Sequence, residues 1–174
     1  MRVKVRENKT SPAPDGVDKS LVGFEVGGVR YAIDIHRVRE IIRPMPTLEL
    51  PHVPEMVSGV VDHRGNVVPI IDLRVRFGVG SGDDDREVRW VIVTRGDRLV
   101  ALAVDRVSEV FSAGGPAARE VPEIGVGEEA RGITAAYSHR GTLVFVVDAD
   151  TLTSVTDELV LPSADQLEVG DAHA

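Results

Sequence analysis

The chain has 174 residues, 43% hydrophobic and 4% aromatic, with a formal net charge of −8 and a pI near 5.1. This acidic balance argues against a general nucleic-acid binder, which needs a basic face, and the lack of cysteine excludes disulfides, thiolate zinc sites and cysteine nucleophiles. No apolar run approaches the roughly 20 residues of a membrane helix, so we expect a cytoplasmic protein without direct membrane insertion.

The two ends of the chain are predicted to be tails around one folded domain, residues 20–160. Residues 1–19 are mostly polar and contain Pro-Ala-Pro and Asp-Gly, which predicts a disordered N-terminal tail. Residues 161–174 are predicted to be a flexible C-terminal tail. Near the middle, the Gly- and Asp-rich string "GVGSGDDDRE" predicts a solvated loop or linker. It separates a first repeat at about 21–77 from a second at about 88–153.

The elements of the first repeat can be followed along the chain. An apolar strand is followed by a Gly27-Gly28 turn and a strand in which apolar residues alternate with others. From Ile35 the apolar spacing becomes three to four residues, as Val38 and Ile41 show, and this predicts one short helical turn. A hairpin then turns at Arg64-Gly65.

The second repeat follows the same order. The string "ALAVDRVSEV" at 101–110 matches "AIDIHRVREI" at 32–41, with Ala, Arg, Val and Glu identical, and the same short helical turn is predicted. The string "SHRGTLVFVVD" at 138–148 likewise matches "DHRGNVVPIID" at 62–72. Two copies about seventy residues apart, with many short strands and Gly turns, favour an all-β fold of two small related barrels.

The cluster Asp62-His63-Arg64 also has a catalytic interpretation. Adjacent strand residues point to opposite faces, so Asp62 would not orient His63, and the second copy has Ser138 in place of the aspartate. The five histidines show no metal-ligand spacing and no phosphate loop is present. We therefore predict no enzyme and neither catalytic, cofactor nor metal residues. An SH3-like nucleic-acid-binding module is a distant alternative, disfavoured by the acidic charge and few aromatics.

The strings "LVGFEVGGVRYAIDIHRVREII", "LPHVPEMVSGVVDHRGNVVPIIDLRVRFG", "VALAVDRVSEV" and "LVFVVDADTL" resemble CheW-like proteins, the adaptors of bacterial chemosensory arrays. The resemblance runs from about Leu21 to Leu159. It implies two intertwined five-stranded SH3-like barrels with a third apolar interface between them, short helical turns and a short C-terminal helix. The barrel that takes the first strand is left open, because intertwined barrels and simple halves give the same pattern.

The resemblance also implies a function and its residues. The protein would be a non-enzymatic scaffold, recruited to receptor arrays, that couples the cytoplasmic tip of a chemoreceptor (a methyl-accepting chemotaxis protein) to the regulatory domain of a CheA-type histidine kinase. Other CheW-like domains are a further class of partner, and no cofactor is expected. The implied receptor-binding residues are Val38, Gly59, Arg64, Val107 and Val110, and the implied kinase-binding residues are Glu40 and Ile41.

One dipeptide departs from the family pattern. Most members have Asn-Leu before Arg-Gly, and this chain has Asp62-His63. A carboxylate two residues from Arg64 could pin its guanidinium, and a histidine can change charge near neutral pH. An alternative function follows, that of a specialised CheW-like paralogue that binds a receptor without engaging the kinase.

Overall fold

The computed structural model describes residues 19–80, 87–113, 118–119 and 132–168. Its strands are β1 Lys19–Val26, β2 Val29–Asp34, β3 Val38–Ile42, β4 Val57–His63, β5 Asn66–Asp72, β6 Arg89–Arg95, β7 Arg98–Val104, β8 Arg106–Ala113, β9 Ala118–Arg119, β10 Ile133–His139 and β11 Thr142–Val147. Its helices are α1 Leu73–Arg76, α2 Ala149–Thr153 and α3 Ala164–Glu168, with 3-10 turns at Ile35–Arg37 and Ser154–Thr156.

The strands form two sheets, and each sheet mixes the two repeats. The first has the order β8-β1-β2-β11-β10-β9, so the first two strands of the chain lie among strands of the second repeat. The other has the order β3-β6-β7-β5-β4, so two strands of the second repeat lie among three of the first. The prediction of two intertwined barrels is confirmed, and the first strand of the chain belongs to the barrel built mainly from the second repeat.

The two Arg-Gly hairpins have the same backbone conformation. Arg64 and Gly65 have φ of 54° and 79°, and Arg140 and Gly141 have 50° and 76°. Two consecutive residues with positive φ are typical of the type I′ turn, whose twist matches that of the flanking strands. Arginine is an uncommon residue in this conformation, because its Cβ crowds the backbone.

The predicted helical turns are wrong over most of their length. Only Ile35–Arg37 forms a 3-10 turn, and the next residues form β3, which pairs with β6. In the second repeat the corresponding residues form β8, which pairs with β1. The three-residue spacing was misleading because it included Ile41 in β3 and Val110 in β8. These two apolar side chains are exposed on the outer face of their strands and do not face the core.

The largest core cluster lies between the sheets and draws on both. Phe24 and Tyr31 from the first sheet pack in one cluster with Val91 and Leu102 from the other, and all four are at most 3% exposed. Fully burying a side chain of this size contributes about 1.5–3 kcal/mol. The barrels are therefore held together by a shared apolar core, and smaller clusters fill the remainder of each barrel.

Two ion pairs between side chains tie the two halves of the chain together. Arg74 of the first repeat donates from Nε and one terminal nitrogen to both carboxylate oxygens of Asp105 in the second. Asp150 of the second repeat accepts from both terminal nitrogens of Arg37 in the first, at 3.0 and 2.6 Å. Arg74 and Asp150 each lie two residues after the aspartate that caps the helix of their repeat.

Of the predicted tails and linker, residues 1–18, 81–86 and 169–174 lie outside the described residues. The first strand begins at Lys19, and helix α3 lies within the predicted C-terminal tail. None of the helices in the described part of the chain is both long and apolar enough to cross a bilayer.

Candidate functional site

Two of the predicted receptor-binding residues meet at the shared core. Val38 begins β3 opposite Val93, and Val107 lies on β8 opposite Phe24. Both valines are half-buried and pack against the central cluster to which Val93 and Phe24 belong. The structure therefore brings one residue from each repeat to a common apolar region, each from the outermost strand of its sheet.

Gly59, another predicted receptor-binding residue, lies against a neighbouring segment of the protein's own backbone. It is buried in β4 with a φ of 148°, and a Cβ at this position would lie 2.5 Å from the carbonyl oxygen of Leu48. Leu48 in turn exchanges two backbone hydrogen bonds of 2.9 Å with Val60. The close backbone approach that glycine permits here is thus made by the protein's own chain.

Val110 and Ile41 occupy equivalent outer positions in the two repeats. Val110 is 58% exposed and Ile41 is 40% exposed. Exposure alternates along β8, so Val110 faces away from the side that carries Val107. The structure does not bring these two valines together on one face.

Arg64 lies in a cluster with Glu40 and His63 at the seam of the barrel. The Glu40 carboxylate contacts Nε2 of His63 at 2.9 Å and accepts from the Arg64 guanidinium at 3.1 Å. The hydrogen bond from His63, aided by the charge of Arg64, lowers the pKa of Glu40 below its ordinary value. β3 and β4 are the outermost strands of their sheet, so the cluster links them across its open side.

The second barrel contains the same cluster. The Glu109 carboxylate contacts Nε2 of His139 at 3.0 Å and the Arg140 guanidinium at 3.5 Å. The ring of His139 also stacks on Phe111, with centroids 4.3 Å apart. In both clusters the arginine is the exposed member, with about three quarters of its side chain accessible, whereas the histidine is largely covered.

The sequence contained the signal for these clusters, although they were not predicted. The glutamates and the His-Arg-Gly strings were each matched between the repeats, but the two matches were not connected. The sequence does not show that the strand carrying the glutamate lies beside the Arg-Gly hairpin of the same repeat. The pinning role considered for Asp62 also changes. Its carboxylate accepts the backbone N–H of Gly65 at 2.9 Å, and Glu40 contacts Arg64 instead.

Each cluster presents an exposed arginine guanidinium held by a glutamate carboxylate. The guanidinium can donate paired hydrogen bonds to a carboxylate or carbonyl of another molecule. Within the described ranges, no group of three or more histidine or acidic side chains is arranged to hold a metal ion. In the same ranges no serine or threonine hydroxyl bonds to His63 or His139, so neither has the nucleophile that a histidine base would activate.

Comparisons with known proteins agree with this architecture. The model of the CheW-like domain family matches residues 20–156. The chain is 31% identical over 149 residues to the chemotaxis protein CheW of Klebsiella aerogenes, covering 86% of this chain and 89% of that protein. It is 32% identical over 139 residues to the chemotaxis protein CheW of Rhizobium meliloti, covering 77% and 86%.

Two further matches differ in extent. A match to the chemotaxis protein CheW of Helicobacter pylori, 34% identical over 90 residues, spans 52% of this chain and 54% of that protein. The crystal structure of the scaffolding protein TtCheW from Thermoanaerobacter tengcongensis superposes with a TM-score of 0.74 at 25% identity, covering 84% of this chain and all of that one. Since the family model spans both barrels and the solved scaffold has the same fold, the chain belongs to the CheW-like domain family.

Proposed function

We propose that this chain, a chemosensory adaptor, couples the cytoplasmic tip of a chemoreceptor to the regulatory domain of a CheA-type histidine kinase, without catalysing a reaction. The observation that carries the proposal is the family match over residues 20–156, which covers both barrels and the core between them. The proposal includes a cytoplasmic location with recruitment to receptor arrays. Residues 20–160 would form the adaptor domain.

The receptor surface in this proposal is centred on Val38 and Val107. Both are half-buried beside the central cluster, so they can offer apolar contact to the face of a helix without leaving the core. Arg64 would add donors for carboxylates or carbonyls at the edge of this surface. Gly59 would support it from within, by letting the Leu48 segment close over β4. Val110 would form a separate apolar contact on the outer side of β8.

The kinase surface in this proposal is the strand β3. Ile41 supplies an exposed apolar side chain on its outer side, and Glu40, on the opposite side, supplies a carboxylate already held by His63 and Arg64. An apolar residue next to a fixed charge is typical of the centre and rim of a protein interface. Because Glu40 and Arg64 contact each other, a substitution at either residue is expected to change the affinity for both the receptor and the kinase.

The proposal is tested by titrating the purified chain separately with a receptor-tip fragment and with the kinase regulatory domain. Val110→Asp places a charge in the proposed apolar contact and should weaken receptor binding by about 2 kcal/mol if that contact is desolvated. Val160→Asp is the matched control, because Val160 is 92% exposed and lies outside both surfaces. Circular dichroism of each variant must first show the parent's β spectrum.

The outcomes separate the candidate functions. Binding of both partners, with receptor affinity reduced in Val110→Asp and unchanged in Val160→Asp, supports the coupling role. Binding of the receptor fragment without the kinase domain would replace it with the specialised paralogue. If neither partner binds at any accessible concentration, the coupling proposal fails.

A further inference from the structure

The histidine is the most covered member of each Glu-His-Arg cluster. The side chain of His63 is 12% exposed, compared with 29% for Glu40 and 75% for Arg64. His139 makes the same contact in the other barrel, at 3.0 Å compared with 2.9 Å. A contact that recurs in two barrels with different surroundings points to a property of the cluster itself.

Each glutamate is shared between a histidine and an arginine. In the first cluster one carboxylate oxygen of Glu40 faces His63 and the other faces Arg64. Arg39, the residue before Glu40, adds a further positive charge nearby. In the second cluster Glu109 is shared in the same way by His139 and Arg140.

Protonation of the histidine changes the balance of charge within a cluster. A neutral imidazole can donate one hydrogen bond from Nε2, so the charge of the glutamate is left to the arginine. An imidazolium brings a full positive charge to the same carboxylate, and imidazole changes its charge between about pH 5 and 8. The arginine then shares its counter-ion with a second cation, and its attraction to the glutamate weakens.

We infer that protonation of His63 and of His139 releases the neighbouring arginine from its glutamate toward an acidic group on a bound partner. Arg64 is positioned for such a transfer, because about three quarters of its side chain is exposed while the histidine behind it is covered. His63 and His139 are thus positioning residues, acting through the arginines. The part of this inference that concerns a partner rests on the proposed function, whereas the exchange within each cluster does not.

The expected size of the effect is modest. Two positive charges on opposite sides of one carboxylate repel each other, and at such separations in water the repulsion corresponds to roughly a threefold change in affinity. A receptor tip that contacts Arg64 through a carboxylate should therefore bind roughly threefold more tightly at pH 6 than at pH 8.

The exchange is tested first on the protein alone, by following the side-chain Nε–Hε resonances of Arg64 and Arg140 from pH 8 to pH 6. Each resonance, assigned by its loss on mutation to lysine, should shift in one step. His63→Gln keeps a donor near Glu40 but cannot ionise, so it should abolish the shift of Arg64 and leave that of Arg140. His139→Gln should do the reverse, which makes each cluster the control for the other.

A second variant covers the case in which His63→Gln does not fold. Glu40→Gln retains the histidine but removes the shared carboxylate, so the Arg64 resonance should again lose its shift. The inference is overturned if Arg64 does not titrate in the parent, or if it titrates in His63→Gln or Glu40→Gln as it does in the parent.

The binding arm repeats the receptor-tip titration at pH 8 and pH 6. The parent should tighten roughly threefold and His63→Gln should show no pH effect. Equal pH dependence in the parent and in His63→Gln would overturn the link to a partner. If the receptor fragment binds neither protein, the proposed function has failed, and the resonance titration alone decides the exchange within the clusters.

Discussion

Replacing Gly59 with alanine should destabilise the fold strongly, even though the sequence assigns this residue to a binding surface. The new Cβ would lie 2.5 Å from the carbonyl oxygen of Leu48, a distance that real Cβ atoms do not show. The neighbour is backbone, so no side-chain rotation can relieve the clash. The residue also holds a φ of 148°, which is unfavourable for a residue with a side chain.

The cost can be built up from these contacts. Moving the Leu48 segment away strains or breaks its two hydrogen bonds with Val60, each contributing about 1 kcal/mol net. The unfavourable φ adds about 1–3 kcal/mol. The reduced freedom of the unfolded chain offsets about 0.4–1 kcal/mol. The net loss is about 2–5 kcal/mol, and at roughly 2–4 °C per kcal/mol for a chain of this size the melting temperature should fall by roughly 4–20 °C.

Thermal and urea denaturation measure the loss, and Gly28→Ala is the matched control. Gly28 also has a positive φ, at 77°, but a Cβ there meets nothing within 4 Å. The control measures the cost of a side chain at a positive φ where no clash is present, about 1 kcal/mol. If Gly59→Ala proves as stable as Gly28→Ala, the close approach to Leu48 does not exist as described.

Three further outcomes are expected. Asp105→Asn should lower the free energy of unfolding by about 2 kcal/mol, because it uncouples the partly buried Arg74 fork, and a change below about 0.5 kcal/mol in urea denaturation would contradict that role. Arg64→Asn should leave stability unchanged or raise it by up to about 1 kcal/mol, since asparagine suits the turn, while receptor binding weakens roughly tenfold. The hydrogen bond from Arg37 lowers the pKa of Asp150, so its stabilisation is present above pH 4 and is lost as the pH falls further. The melting temperature of Asp150→Asn should therefore depend less steeply on pH below 4 than that of the parent.

Local patterns were enough to predict much of the fold. Alternating apolar residues identified most strands, because one side of each strand faces the core. Arg64-Gly65 and Arg140-Gly141 were recognised as turns because glycine tolerates positive φ, and the structure confirms both. The pattern failed at β3 and β8, where exposed Ile41 and Val110 added apolar residues that do not report burial.

The candidate site divides in the same way. The family resemblance implied that Val38, Val107 and Arg64 bind the receptor, and the structure gives each residue a location at which this prediction can be tested. The pairing of Glu40 with His63 was not predicted. The two residues are 23 positions apart in the chain, and they come into contact only because β3 and β4 lie on either side of one seam.

By itself the sequence determined that the protein is a duplication of one small β unit, because identical and similar residues recur in the same order in both halves. Which half each strand joins was decided only by the tertiary structure. Strand pairing depends on backbone hydrogen bonds, which are alike for every residue, and two similar repeats offer nearly equivalent partners. The shared core and the ion pairs Arg74–Asp105 and Arg37–Asp150 connect one half to the other, and these contacts exist only between residues far apart in the chain.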